Sequence, residues 1–262
     1  MAPYGFIGTG AITAAIVEGV SAPTSPAIVQ GLSAPAIFLS PRSRTVSQDL
    51  ASRFPNVQIC DTNQDVLESA TAIVLAVRPQ IARDVLADLT FHPEHIVISA
   101  MAGVSLAQLS EWTAPAKQLI RVIPLPSAAS GDSLTVMYPD NPTARELFNR
   151  VGGLVTPTDE TALEVFSAAT ATFAAHLDYL ATITAWLANH GVDEHDATAY
   201  TRHIFGQLGQ SLLHRTDSFA VLTNEHMTPG GINEQVLTDL RRNGVPDLVR
   251  RALDEVLTRL RT

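Results

Sequence analysis

The sequence predicts an α/β Rossmann-type domain with a parallel sheet, followed by an all-α domain. Two observations predict this architecture. The N-terminal half alternates short apolar runs with amphipathic stretches, which is the pattern of βαβ units in a parallel sheet. After Thr156–Glu160 the strand-like runs end, and helical periodicity continues to the C-terminus. We therefore divide the 262 residues into a domain of residues 1–157 and a domain of residues 158–262.

The first domain reads as a series of strands joined by helices. The run Thr71–Val77 is almost continuously apolar, which favours a strand buried on both faces. The predicted strands are Pro3–Gly8, Ala36–Ser40, Val57–Cys60, Thr71–Val77, His95–Ala100, Gln118–Ile123 and Leu134–Tyr138. The predicted helices are Gly10–Val20, Thr45–Phe54, Pro79–Leu89, Leu106–Trp112 and Pro142–Val151, and Ser21–Pro35 is predicted to be a loop.

The second domain is predicted to be helical throughout. Thr158 or Asp159 is a suitable N-cap for its first helix. One helix or a pair of helices is predicted over Glu160–Asn189, and the further predicted helices are Asp193–His214, Ser218–Glu225, Ile232–Arg242 and Asp247–Arg261. In the last of these, the apolar residues from Val249 to Leu260 recur at helical spacing and form one stripe. Amphipathic helices in a segment this short bury more apolar surface by pairing with a second copy, so we expect a homodimer through this domain.

Composition excludes several classes of protein. With 17 basic and 26 acidic residues the net charge is −9, which argues against a nucleic-acid partner. No run of 18 apolar residues occurs, so no membrane span is expected, and we predict a cytoplasmic protein. The single Cys60 has no partner for an internal disulfide. The eight histidines are scattered, so we expect them to be exposed to solvent and predict no metal site.

A glycine-rich segment, Gly5–Thr13, directly follows the first predicted strand and opens a helix. This is the position of a dinucleotide fingerprint, in which Gly8 permits the tight turn and Gly10 lets the backbone approach a pyrophosphate. The third position of the fingerprint is normally Gly or Ala, whereas this chain has Thr13. The residues assigned to nucleotide binding here are Gly8, Thr9, Gly10, Ala11 and Ile12.

The end of the second predicted strand indicates which nucleotide binds. An NAD site has an acidic residue here to accept a hydrogen bond from the ribose 2′-hydroxyl, but this chain has Ser40, Arg42 and Ser43 and no acid. A guanidinium pairs with a 2′-phosphate, and serine hydroxyls can donate to it. The predicted cofactor is therefore NADP(H).

Six segments in order resemble the pyrroline-5-carboxylate reductase family: Gly5–Thr13, Ser40–Ser43, Leu75–Gln80, Ile98–Ser105, Arg121–Pro124 and Thr228–Gly231. The resemblance spans nearly the whole chain. It implies an NADPH-dependent enzyme with a Rossmann-type domain, and a helical domain that interlocks with that of a partner and places active sites at the dimer interface. It also implies that Ala76, Val77, Arg78 and Pro79 line the cofactor and that Ala102 and Gly103 approach the nicotinamide.

The chain departs from the family at the substrate pocket. The family's Asn-Thr-Pro after the Arg121 motif is replaced by Leu125–Ser127, and its Ser-Gly-Ser-Gly-Pro-Ala-Tyr segment by Thr172–Tyr179. Within that stretch His176 and Tyr179 are assigned to substrate binding, although His176 also fits a helix face turned to solvent or to a partner chain. These changes predict poor reduction of pyrroline-5-carboxylate itself.

The segment Thr228–Gly231 is closer to the family pattern. The amides of Gly230 and Gly231 are predicted to bind a carboxylate, and Ile232, which opens the following helix, is assigned to substrate binding with them. Thr228 adds a hydroxyl, and Asn233 stands where the family has a threonine near the imine nitrogen, so both are assigned to catalysis. The predicted substrate is an anionic imine, that is, an imino acid.

The function predicted from these residues is NADPH-dependent reduction of a cyclic imine. A β-hydroxyacid dehydrogenase shares the architecture, but that family uses a lysine in its helical domain and the only lysine here is Lys117. A non-catalytic NADP-binding relative that acts as a sensor or scaffold stays open, because the cofactor segments are kept while the substrate segment is lost.

Overall fold

The computed structural model describes residues 2–261, which form two compact units. The N-terminal unit runs to Ser167 and includes the C-terminal residues from Leu260, and the helical unit is Ala168–Arg259. The strands are β1 (Tyr4–Ile7), β2 (Ile37–Leu39), β3 (Val57–Ile59), β4 (Ala72–Leu75), β5 (Ile96–Ser99), β6 (Gln118–Ile123), β7 (Ser133–Tyr138) and β8 (Gly152–Val155). The predicted boundary near residue 157 falls between β8 and the next helix.

The helices of the N-terminal unit alternate with its strands. They are α1 (Ala11–Ser21), α2 (Pro26–Val29), α3 (Arg44–Arg53), α4 (Asn63–Ser69), α5 (Pro79–Ala87), α6 (Leu106–Trp112) and α7 (Pro142–Asn149), with a 3-10 turn at Pro126–Ser130. The remaining helices are α8 (Thr161–Thr170), α9 (Thr172–Asn189), α10 (Glu194–His214), α11 (Phe219–Glu225), α12 (Ile232–Arg242) and α13 (Val245–Arg261).

The eight strands form one sheet in the order β3-β2-β1-β4-β5-β6-β7-β8. The first six strands are parallel. The strands β2 and β3 are added on one side of β1, and β4, β5 and β6 are added on its other side, which confirms the Rossmann-type fold. One correction concerns the far edge, where β7 pairs antiparallel with β6 and parallel with β8. In this topology ligands bind beyond the carboxyl ends of the strands at the β1–β4 switch point.

Three elements were missing from the sequence prediction. The strand β8 contains Gly152 and Gly153, which weaken any strand pattern. The helix α4 is only seven residues long, too short for a clear apolar period, although Thr62 and Asp65 form a capping box at its start. The predicted loop Ser21–Pro35 contains the one-turn helix α2, which is capped by the Ser25 hydroxyl.

Side chains bury both faces of the sheet. On one face α1, α3 and α7 contribute Ile16, Leu50 and Phe148 to a core cluster. On the other, α4, α5 and α6 contribute Leu67, Leu86 and Leu109 to a second cluster. Because β1 and β4 have fully buried patterns, both clusters rest on the strands that end at the switch point.

One histidine does not follow the prediction of solvent exposure. His95, immediately before β5, is only 3% exposed. Its Nε2 lies 3.1 Å from the carbonyl oxygen of Leu67, and its Nδ1 accepts from the amide of His92 at 3.0 Å. Both ring nitrogens are used by the backbone, which accounts for a buried imidazole here.

The apolar stretch Ala11–Val29 is long and apolar enough to cross a membrane by length and composition alone. Half of it is buried, however, and Ile16, Val17 and Val20 belong to the core cluster on one face of the sheet. Its apolar composition is therefore explained by packing in the N-terminal unit.

The helical unit leaves much of its apolar surface exposed. Helices α9 and α10 pack together, and Ala197 and Thr201 are buried on α10. The exposed large side chains of this unit include Phe173, Leu177, Trp186, Tyr200, Leu213, Phe219, Val236 and Leu248. An exposed apolar surface of this extent is typical of a protein interface.

Candidate nucleotide site and flanking residues

The turn after β1 requires a glycine. Gly8 has φ +96°, and a Cβ atom there would lie 2.5 Å from the carbonyl oxygen of Ala76. The amide of Ala76 in turn donates to the carbonyl of Ile7 at 2.8 Å. The loops that follow β1 and β4 are therefore in direct contact at the switch point, where the sequence placed the nucleotide.

Ser40 supports this turn from the end of β2. It is 0% exposed, and its hydroxyl accepts a hydrogen bond from the amide of Gly8 at 3.1 Å. The hydroxyl of Thr9 donates to the carbonyl of Ser40 at 3.2 Å. This burial corrects the prediction that Ser40 donates to a phosphate, because its hydroxyl is held inside the protein by the glycine-rich loop.

The start of α1 is open. Gly10 is the N-cap, no side chain among the described residues caps it, and a Cβ atom at Gly10 would meet nothing within 4 Å. The departure at Thr13 is accommodated inside the fold, because its buried hydroxyl donates to the carbonyl of Gly8 at 2.7 Å. The first-turn amides, with Ala11 and Ile12, thus face space that a pyrophosphate can enter.

Arg42 lies beside a separate cavity on the N-terminal unit. Ser43 has φ +64° and is the N-cap of α3, and the exposed Arg42 precedes it. Arg42 lines a cavity of about 560 Å³ together with Asn63 and Gln64. Of the described lining residues it is the one basic group, while Asp84 and Asp88 are acidic. A phosphate in this cavity would therefore depend on Arg42.

The residues that follow β4 and β5 lie at the same edge of the sheet. Arg78 is the exposed N-cap of α5, and Pro79 is its first helical residue. After β5, Ala102 is exposed, and Gly103 has φ +73° with Leu260 about 3.6 Å from where a Cβ would be. The segments assigned to the cofactor thus end at one edge, as a parallel sheet requires.

An ionic cluster beside Gly103 was not predicted from the sequence. Arg121 on β6 donates at 2.7 Å to Glu160 and at 2.7 Å to Glu164. Glu160 also accepts from the amide of Leu106, the first residue of α6, at 2.7 Å. The i, i+4 spacing of the two glutamates was a signal for a shared partner, but a single sequence does not indicate that this partner is Arg121.

In the helical unit, the predicted catalytic and carboxylate-binding residues lie together at the start of α12. The amide of Gly231 donates to the carbonyl of Thr228 at 2.8 Å, and that of Gly230 donates to Glu234 Oε2 at 2.7 Å. The side-chain amide of Asn233 donates to the carbonyl of His226 at 3.1 Å. Ile232 is 80% exposed. Both glycine amides therefore already have acceptors within the chain.

The other predicted substrate residues lie on α9. His176 and Tyr179 line an open apolar groove of about 1040 Å³, also formed by Phe219 and residues of α13. Tyr179 packs edge-on against Phe205. None of the described residues from Thr228 to Asn233 lines this groove, so the helical unit by itself does not bring the two predicted substrate sets together.

Within residues 2–261, no group of three or more His, Cys, Asp or Glu side chains is arranged to hold a metal ion.

Two family patterns match the chain, one in each predicted domain. Residues 3–103 match the family described as NADP oxidoreductase, coenzyme F420-dependent. Residues 160–262 match the family described as pyrroline-5-carboxylate reductase dimerisation. With the fold, these matches define the class: a Rossmann-type dinucleotide-binding protein with a C-terminal dimerisation domain.

Curated relatives extend the match over most of the chain. Pyrroline-5-carboxylate reductase of Pisum sativum is 25% identical over 88% of this chain and 81% of its own length. That of Pseudomonas aeruginosa is 24% identical over 95% of this chain and 92% of its own. Residues 160–262 thus belong to the dimerisation family of pyrroline-5-carboxylate reductases, and over most of its length the chain is similar to these enzymes, as the resemblance in sequence indicated.

Solved structures share the complete fold. A 1-pyrroline-5-carboxylate reductase from Streptococcus pyogenes superposes with a TM-score of 0.81 at 20% identity, covering 99% of this chain and 98% of that one. A pyrroline carboxylate reductase from Plasmodium falciparum with NADP bound gives 0.80 at 17% identity, covering 99% and 97%. At these identities the likeness concerns the fold.

Proposed function

We propose that this protein reduces the C=N bond of a cyclic imine with NADPH. The observation that carries the proposal is the turn at Gly8, where only glycine fits beneath Ala76 and where the open N-terminus of α1 begins at Gly10. This turn lies at the β1–β4 switch point of the sheet. In the same chain, residues 160–262 match a family that is named after pyrroline-5-carboxylate reductase, an enzyme that reduces an imine. Named relatives in plants and bacteria carry the same activity in their names.

The residues present fit a dinucleotide. The missing side chain at Gly8 keeps the turn tight, and the open space at Gly10 admits a pyrophosphate to the first-turn amides of α1, whose dipole favours an anion. Ser40 holds the Gly8 amide, and so positions the turn rather than the ligand. When bound, the nicotinamide supplies a hydride, and the protein needs only to orient the imine and exclude water.

NADP(H) rather than NAD(H) is the proposed cofactor. Arg42 is the basic residue of the cavity after β2 and β3, and no acidic residue follows β2 to accept from a ribose 2′-hydroxyl. A guanidinium gives a charge-assisted pair to a 2′-phosphate. The Plasmodium falciparum relative, which shares the fold, is described with NADP bound.

The predicted catalytic residues are Thr228 and Asn233 at the start of α12, and His176 and Tyr179 on α9 are predicted to bind the substrate. A cyclic imine is protonated readily, and hydride transfer to an iminium needs no strong general acid from the protein. Asn233 can therefore serve by accepting from the N–H of the ring with its side-chain oxygen, while one N–H of its side-chain amide donates to the carbonyl of His226.

A homodimer through the helical domain is part of the proposal. The match to a dimerisation family over 160–262 and the exposed apolar side chains of α9, α10 and α11 support it. Sedimentation at micromolar concentration is expected to give a dimer or a larger assembly, and a monomer would contradict it. The cytoplasmic location stays a prediction.

The experiment that tests the function is NADPH oxidation with a panel of cyclic imines that differ in ring size and in carboxylate substitution. We expect turnover of at least one imine, with NADPH preferred over NADH. Binding of NADPH without oxidation across the panel would favour the non-catalytic alternative.

A further inference from the structure

The loop that follows β5 has an exposed part between two buried residues. Met101 and Val104 are buried and belong to the core cluster formed with α4, α5 and α6. Between them, Ala102 is exposed and Gly103 has φ +73°, a conformation that favours glycine. The loop therefore presents Ala102 outward at the carboxyl edge of the parallel strands, the edge at which this fold binds its ligands.

The direction of a bound dinucleotide places its nicotinamide half on the side of this loop. With the pyrophosphate at the open turn of Gly10, the adenosine half lies towards β2, where this fold recognises the ribose and where Arg42 is found. The other half must then extend across β4 towards β5, which is two strand spacings, about 10 Å, from β1. The loop after β5 is therefore a wall of the nicotinamide site.

An ion pair of the sheet holds the far end of this loop. Arg121 of β6 is the register partner of Ser99, the last residue of β5, so it lies level with the point where the loop begins. Its guanidinium donates to Glu160 Oε1 at 2.7 Å, and the same oxygen accepts from the amide of Leu106 at 2.7 Å. Leu106 is the first residue of α6 and directly follows the loop. Glu160 thus joins the end of the loop to β6.

Two further hydrogen bonds of the loop are local. The amide of Met101 donates to the Ser99 hydroxyl at 3.3 Å, and the amide of Ser105 donates to Gln108 of α6 at 2.9 Å. Such contacts shape the loop but do not tie it to a neighbouring strand. The contact from Glu160 does so, because it comes from a residue 54 positions away that is itself held by the sheet.

We propose that Glu160 is a positioning residue for the nicotinamide, acting through the Leu106 amide on the loop of Ala102 and Gly103. The proposal rests on the proposed function and deepens it, since it concerns the nicotinamide end of the same nucleotide site. A loop that is fixed before binding loses less conformational entropy when the ligand arrives. Without the Glu160 oxygen, the loop would have to be ordered by the nicotinamide itself.

The test compares NADPH with 2′-phospho-ADP-ribose, which has the same phosphates and both riboses but no nicotinamide. Dissociation constants of both ligands are measured by calorimetry on the full-length protein. The variants are Glu160→Ala, which removes the acceptor, and Glu160→Gln, which keeps an oxygen for the Leu106 amide. The matched control is Glu164→Ala, which takes the other carboxylate from Arg121 and leaves the contact to Leu106 in place.

A second route removes the donor instead of the acceptor. Leu106→Pro deletes the amide hydrogen and leaves all three charges of the cluster in place, so it carries the test if Glu160→Ala does not fold. Proline is accommodated at the first position of a helix, and the extended backbone of Ser105 is the conformation that proline requires of the residue before it.

We expect Glu160→Ala and Leu106→Pro to weaken NADPH binding by about fivefold or more and to leave 2′-phospho-ADP-ribose within about twofold of the wild type. Glu160→Gln and Glu164→Ala should keep both ligands within about twofold of the wild type. Equal weakening of NADPH by Glu160→Ala and Glu164→Ala would assign the cluster to fold stability alone and overturn the proposal. Equal weakening of the two ligands by Glu160→Ala would overturn it as well.

These measurements separate the role of Glu160 from the proposed function, because they need no turnover. A selective loss of NADPH affinity supports the role of Glu160 even if no cyclic imine is reduced, in which case the proposed function fails alone. Unchanged NADPH affinity in Glu160→Ala and Leu106→Pro overturns the role of Glu160 whether or not an imine is reduced.

Discussion

The guanidinium of Arg121 donates to the carboxylate of Glu164 at 2.7 Å, although 43 residues separate them in the chain. The Arg121 side chain is 5% exposed and that of Glu164 is 12% exposed. Glu160 completes the cluster and also binds the first amide of α6. One buried cation thus holds β6, the start of α6 and the first turn of α8 together.

Replacing this cation should be costly, because Arg121→Met leaves the carboxylate of Glu164 buried without its partner. We expect a loss of about 3 kcal/mol in the free energy of unfolding, measured with urea. The control is Arg83→Met, since Arg83 lies 3.8 Å from Glu111 on an exposed surface and should change stability by less than about 0.5 kcal/mol. Equal effects of the two substitutions would show that the cluster does not stabilise the fold.

The two glycines of the nucleotide turn should respond differently to alanine. Gly8→Ala forces φ +96° and a clash with the carbonyl of Ala76, so we expect a loss of about 1–3 kcal/mol in unfolding free energy. Gly10→Ala meets no atom of the protein and should keep the stability within about 0.5 kcal/mol. Its methyl group should instead obstruct the pyrophosphate and weaken NADPH binding, measured by fluorescence titration. Unimpaired NADPH binding by Gly10→Ala would place the nucleotide elsewhere.

Arg42 should decide the preference for NADPH. Arg42→Ala removes the guanidinium from the cavity after β2, and loss of a charge-assisted contact is expected to weaken NADPH binding by about 1.5–3 kcal/mol. NADH, which has no 2′-phosphate, should bind almost unchanged, and Arg83→Ala should affect neither nucleotide. If Arg42→Ala weakens both nucleotides equally, Arg42 does not recognise the 2′-phosphate.

His95 should make stability fall in mild acid. Burial lowers the pKa of His95 below its ordinary value of 6.5, so the unfolded chain takes up a proton at a higher pH than the folded chain does. The contribution of neutral His95 to the free energy of unfolding is therefore fully present above about pH 6.5. This contribution is lost as the pH falls from there to the pKa of His95 in the folded protein. Protonation would also break the bond from the His92 amide.

The measurement is the free energy of unfolding between about pH 7.5 and pH 5 for the wild type and His95→Gln. His95→Gln should lose part of the slope of this free energy with pH, whatever its absolute stability. The same slope in both proteins would assign the acid sensitivity to other groups.

The sequence predicted the features that depend on local pattern. The strand β4 and the turn at Gly8 follow from apolar runs and one glycine, and both are found where they were expected. The interior role of Ser40 was missed, because its residue type fits a phosphate contact equally well and only burial separates the two. The Glu160 cluster was missed because its partners are distant in the chain.

The contact from Gly230 to Glu234 was within reach of the sequence. An acidic side chain at the third residue of a helix commonly reaches back to amides at the start of the helix. Gly230 and Glu234 are close enough in the sequence for this contact to be expected. Resemblance to the family predicted that the amides of Gly230 and Gly231 donate to a ligand. That prediction did not consider the acceptors within the chain that these amides already have. The exposed groove on α9 is a different case, since a single chain does not specify what covers it.

The most direct test of imine reduction follows the hydride itself. The protein is incubated with NADPH that carries deuterium at both C4 positions of the nicotinamide and with 1-pyrroline or 1-pyrroline-5-carboxylate, and the products are analysed by mass spectrometry. We expect a cyclic amine with one deuterium at the former imine carbon, formed in step with the NADPH consumed. Unchanged NADPH with both imines, or an amine without deuterium, would contradict it.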